Sequence, residues 1–230
     1  RVPAGGQGEL RGVPAGVGGG DIYGAEFAEV QLVDEAQAGS PIGPLNRTGS
    51  VWNRYPSDPA PTAPAGQWNR LQVRAVGDRL TVTVNGTKCV DRDVVWDRAA
   101  GKIGLQKNRG GSEFRNVRVR PVAGGLPASP GRPGWKDLFP NDRLDGWEEL
   151  GSTGRWSARD GVVTVTPDDP RRLGMLASKA AYKDFELRFE YRLSGRTPNS
   201  GLFLRLPDAP AVVGPESADN IEFQFQHDAP

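Results

Sequence analysis

Apolar and polar residues alternate with a period of two wherever the chain shows a period at all. Phe185, Leu187, Phe189, Tyr191 and Leu193 fall on one side of an extended segment, and Glu186, Arg188, Glu190 and Arg192 fall on the other. That alternation predicts a strand with one buried face. Leu71 to Val76 and Leu80 to Val84 alternate likewise around Gly77-Asp78-Arg79. The second run meets Asn85-Gly86, whose tolerance of positive φ predicts a tight hairpin into Thr87 to Asp91. Further strands are expected at Lys102 to Gln106, Glu113 to Val122, Val162 to Thr166, Gly201 to Leu206 and Ile221 to Gln226. No long stretch carries a helical repeat. Many short strands separated by turn signals predict an all-β fold, an antiparallel β-sandwich or jelly roll.

Composition changes this picture in one respect. The 230 residues include 31 Gly and 20 Pro, a surplus concentrated in three clusters at 1–20, 56–66 and 121–134. The rest has the punctuation of an ordinary domain, so the clusters read as loops or linkers. The 29 basic side chains balance 28 acidic ones, which gives no overall field for nucleic acid. No apolar run has the length of a membrane span. The chain opens at Arg1 with no basic-then-apolar leader in view, so its natural N-terminus is expected to lie upstream. Cys89 is the single cysteine, which rules out an intrachain disulfide and reads as a small strand residue.

The end of the chain also echoes its beginning. Arg205-Leu206-Pro207 matches Arg1-Val2-Pro3, and Glu222-Phe223-Gln224-Phe225-Gln226 matches Glu29-Val30-Gln31-Leu32-Val33. Two sets of motifs extend the echo. From Gly134 onward these are Gly134-Trp135-Lys136-Asp137-Leu138-Phe139, Leu144-Asp145-Gly146-Trp147, Asp184-Phe185-Glu186-Leu187, Asn199-Ser200-Gly201-Leu202-Phe203-Leu204-Arg205 and Glu222-x-Gln224. Together they resemble the N-terminal half of the 3-keto-disaccharide hydrolase family. Glu29-x-Gln31-x-x-Asp34, Thr48-Gly49-Ser50-Val51-Trp52, Gly66-Gln67-Trp68-Asn69, Val84-Asn85-Gly86, Gly101 to Gln106 and Phe114 to Val117 resemble its C-terminal half. The order is therefore inverted: a C-terminal half at 1–122, a Pro/Gly linker at 123–134, and an N-terminal half of a second copy at 135–230. Such halves are expected to close on each other as a circular permutant, with residues 1 to 25 surplus.

The resemblance implies a jelly roll of the concanavalin A type, a periplasmic or secreted location, and activity on an oxidised glycoside. A ketone at C3 of a sugar acidifies the C2 proton, so a base can remove it and expel the C1 substituent. Glu222 with Gln224, and Glu29 with Gln31, each lie on the polar face of a strand that could line the sugar-binding side. Glu222 is the preferred base, because Asn199, Ser200 and Arg205 precede it in the family's order. Arg205 is expected to hold sugar hydroxyls or an enolate oxygen, Asn199 to contact sugar, and Trp52 to face the ligand. His227, which falls where the first copy has Asp34, is an acid/base candidate. Trp68 reads as a core residue. No cofactor is expected, although Asp34, Glu35 and Asp228 permit a calcium ion without implying one. The competing reading is a non-catalytic carbohydrate-binding or adhesion module of the same fold, since fold alone does not separate the two.

Overall fold

The computed structural model describes residues 28–38, 41–96, 98–122, 134–151, 154–167 and 174–208. Among them, strands β1 (Ala28–Val33), β2 (Asn69–Val76), β3 (Arg79–Val84), β4 (Thr87–Asp93), β5 (Gly101–Lys107) and β6 (Gly111–Pro121) come from the first half of the chain. The second half supplies β7 (Lys136–Asp137), β8 (Trp147–Gly151), β9 (Gly154–Arg159), β10 (Val162–Pro167), β11 (Gly174–Tyr182), β12 (Phe185–Ser194) and β13 (Asn199–Leu206). The expected segment at Ile221 to Gln226 lies outside the described residues.

All the pairings are antiparallel, and they make two sheets. One has the order β1-β13-β5-β11-β8; the other runs β4-β3-β2-β12-β6-β10-β9, with β7 also paired to β6. The two halves interleave in both. β13 lies between β1 and β5, and β12 lies between β2 and β6. Strand ladders thus join the earlier and later stretches of the chain in one sandwich.

Alternation explains the packing. Leu71, Val73 and Ala75 of β2, Phe185, Leu187, Phe189 and Tyr191 of β12, and Phe114, Val117 and Val119 of β6 point inward to meet Val30, Leu32, Ile103, Leu105, Leu202 and Leu204 of the facing sheet. The hairpin at Asn85-Gly86 has positive φ at both residues, 48° and 88°, as its sequence predicts. Two aromatic residues of the Gly134 to Trp147 motifs, Phe139 and Trp147, are structural: Phe139 stacks on Trp147 at 4.5 Å, and the Trp147 indole donates to the Leu138 carbonyl. Cys89 is buried in β4, where its thiol donates to Val82 O and burial pushes its pKa up to about 11. An unreactive strand residue is what this environment makes of it.

Leu202 is fully buried and pairs with Val30 on one side and Leu105 on the other. Truncating it opens a cavity at the junction of the two halves. Leu202→Ala should cost about 2–5 kcal/mol, read as a lower urea midpoint with unchanged slope.

Candidate functional site

The site builds up from β1. Val30 and Leu32 face the core, so Glu29 and Gln31 project from the opposite, outer face of the five-stranded sheet. Register then fixes their neighbours. Glu29 pairs with Phe203, Gln31 with Gly201 and Val33 with Asn199, while Gly104 pairs with Phe203 and Gln106 with Met175. Residues 50–52 extend the sheet on the other side of β1: Gln31 N donates to Ser50 O and Trp52 N to Glu29 O, around a Val30–Val51 bridge. Glu29, Gln31, Trp52, Asn199, Gly201 and Gln106 therefore share one face.

Glu29 is 6% exposed, and its carboxyl lies over Gly201. A Cβ at 201 would sit 2.4 Å from Glu29 Oε1, so only glycine leaves room for this path across β13. Next to it, Met175, Ala177, Phe203 and Leu206 form a second apolar cluster, separate from the main core. Loss of hydration raises the Glu29 pKa from 4.5 to about 8, and the nearby Gln106 amide opposes this only weakly. Gln106 is itself buried, and neither Nε2 nor Oε1 has a hydrogen-bond partner of good geometry. Buried amides are normally satisfied, so a bare one beside a protonated carboxyl leaves unused polar capacity on this face. Asn199 Oδ1 is likewise buried and unpaired.

Farther along the same face, Lys102 Nζ meets Glu148 Oε1 at 2.5 Å, and that carboxylate raises the Lys102 pKa.

The other sequence candidates are placed differently. Arg205 is 3% exposed and sits at a bulge with φ of 57°. Its guanidinium donates to the carbonyls of Arg98, Gly77 and Lys183 at 3.0–3.3 Å and lies 4.1 Å from the Trp96 ring. It clamps turns at one end of the sandwich and is not brought to Glu29. Asp34 is also committed, accepting from Ala36 N, Gln37 Nε2 and Ala65 N. Among the described residues no cluster of three His, Cys, Asp or Glu side chains is placed to hold a metal. Glu222, Gln224, His227 and Asp228 lie outside the described residues. Trp68 departs from the core expectation: it is half-buried on the outer face of the larger sheet, with the guanidinium groups of Arg115 and Arg192 at 4.0 and 4.7 Å from its ring. Gln106 carried no individual signal in the sequence beyond its strand motif.

If burial sets the Glu29 pKa, Glu29 contributes stability that is fully present below pH 4.5 and lost as pH rises through 8, because the folded state holds the proton more tightly. Glu29→Gln removes that loss. Relative to the wild type, the variant should gain on the order of 5 kcal/mol between pH 4.5 and 8.5, measured by denaturant unfolding at several pH values. Gly201→Ala should displace the carboxyl toward water and bring its pKa back toward 4.5, read by carboxyl-carbon NMR titration.

The model of the 3-keto-alpha-glucoside-1,2-lyase-like domain family matches the chain twice, over residues 20–120 and 134–229. A comparison with curated proteins finds no match. The two family matches cover most of the sequence and include both the Glu29 strand and the Gly201 strand, so this chain belongs to the 3-keto-alpha-glucoside-1,2-lyase-like domain family, whose name denotes carbohydrate cleavage.

Proposed function

We propose that the chain cleaves glycosides oxidised at C3, with Glu29 as the base that removes the C2 proton. The observation that carries this reading is a buried carboxyl held over a bare glycine beside an unsatisfied amide. The ketone makes the C2–H bond acidic. Glu29 takes the proton, and the bonding pair moves into an enolate whose charge rests on the C3 oxygen. The Gln106 amide, with Gln31 alongside, supplies donors for that oxygen in a site of low polarity, where each donor counts for more than in water. When the ketone re-forms, the C1–O bond breaks and the departing alkoxide takes its proton from Glu29. A 1,2-unsaturated 3-keto sugar remains, to which water adds at C1. Trp52 and Asn199 flank the same face as sugar contacts.

A pKa near 8 suits this role, because a carboxylate this basic is a stronger proton acceptor than an ordinary one and is still accessible near neutrality. In this reading the first family match supplies the C-terminal half of the domain and the second the N-terminal half. The Glu29 strand then occupies the edge of β13 that a following strand would take in the usual order.

Release of sugar from a 3-keto-glucoside, but not from the unoxidised glucoside, is the expected result. Its rate should rise with pH to a plateau above about 8 as Glu29 ionises. Glu29→Gln should lower kcat/KM by at least about 10²-fold, whereas Glu222→Gln should leave it near the wild-type value. Equal turnover by Glu29→Gln, or loss confined to Glu222→Gln, would overturn the assignment.

A further inference from the structure

The outer face of the larger sheet lies across the sandwich from Glu29 and carries a different chemistry. Its central strands β2, β12 and β6, with β7, present seven arginines against four carboxylates. Each carboxylate is already taken. Glu186 pairs with Arg74 and Arg120, Glu190 with Arg70 and Arg115, Glu113 with Arg192, and Asp137 with Arg118 at 3.9 Å. Arg188, at the centre of the central strand, has no carboxylate partner among the described residues. Register sets it opposite Gln72 on one side and Arg118 on the other. Its guanidinium lies 4.2 Å from the Trp135 ring, which also receives Arg120 at 4.8 Å. Partial burial, together with the like charges of Arg118, Arg120 and Arg70, holds its pKa below the usual guanidinium value, although it stays charged.

Two adjoining grooves run over this face. One, of about 320 Å³, is lined by Arg188, Arg118, Gln72 and Asn116; the other, of about 400 Å³, continues past Arg70 to Trp68 and Asn85. The β-bulge residue Asn116, with a positive φ of 54°, turns its strand at the first groove.

We propose that this face binds a sugar bearing a single oxyanion, carboxylate or phosphate, with Arg188 as its anchor. An unpaired guanidinium offers two parallel donors, the match for a planar or tetrahedral oxyanion. The amides of Gln72 and Asn116 offer the mixed donors and acceptors that hydroxyl groups use, and Trp68 and Trp135 bound the path. Glu186 and Glu190, two residues either side of Arg188 on the same strand face, repel a ligand with a charge on every unit. The site therefore favours one well-placed anion over a nucleic acid. It is separate from the Glu29 face and does not rest on the activity proposed there.

The test is titration of the full chain, in the Glu29→Gln background, with methyl glucuronide, glucose 6-phosphate, methyl glucoside and a short DNA duplex, following the Trp135 indole resonance. At least ten-fold tighter binding of either acidic sugar than of methyl glucoside is expected, and the better of the two names the oxyanion. That preference should weaken with salt, vanish in Arg188→Gln and return in part in Arg188→Lys. Equal binding of acidic and neutral sugars by the unaltered face, a preference that survives Arg188→Gln, or tighter binding of the duplex through Arg188 would each overturn the proposal.

Discussion

The structure depends on the interleaving of strands from two sequence-distant halves. β13 can satisfy both its edges only by pairing with β1 and β5, and β12 only by pairing with β2 and β6. A sheet edge left open exposes a row of unpaired amides and carbonyls, and an apolar face left uncovered, such as Phe185 to Leu193, gains nothing from burial. Neither half can meet both demands alone. In the sequence the two are joined through a run rich in Gly and Pro at 121–134.

The same interleaving makes the site. Glu29 comes from one half and Gly201 from the other, and Gln106 lies on β5, next to β13. The carboxyl reaches across a strand of the opposite half through the gap that a missing Cβ leaves. Its basicity follows from the apolar surroundings that Phe203 and its cluster provide. Folding and the candidate chemistry are therefore two consequences of one set of pairings. The outer face of the larger sheet follows another rule: there, cross-strand Arg–Glu pairs cover a solvated surface and, among the described residues, leave the Arg188 guanidinium without a carboxylate.

Much of the fold was legible because one-sided burial writes itself as alternation. β2, β3 and β12 could be read to within a residue or two for that reason. β11 was not legible: Gly174 to Ser178 are buried on both faces, so Met, Leu, Ala and Ser follow without a polar alternate. In the site, the polar side of Glu29 and Gln31 could be read from period two, but its burial could not, since a covered polar face and a solvated one have the same pattern. Gln106 went unmarked for that reason. Arg205 looked like a sugar ligand, whereas its positive φ and three carbonyl partners are tertiary facts with no local trace. Arg188 was hidden by a near-neutral composition that averages over both faces.

The most direct test is to produce residues 1–122 and 123–230 as separate chains and to measure amide hydrogen exchange in each and in their equimolar mixture. Each half alone should exchange freely along its strands. The mixture should protect the amides of β12 and β13 together with those of β1, β2, β5 and β6, in a single heterodimer. Either half protecting its strands on its own, with no further protection on mixing, would contradict the interleaved fold and the Glu29 site built on it.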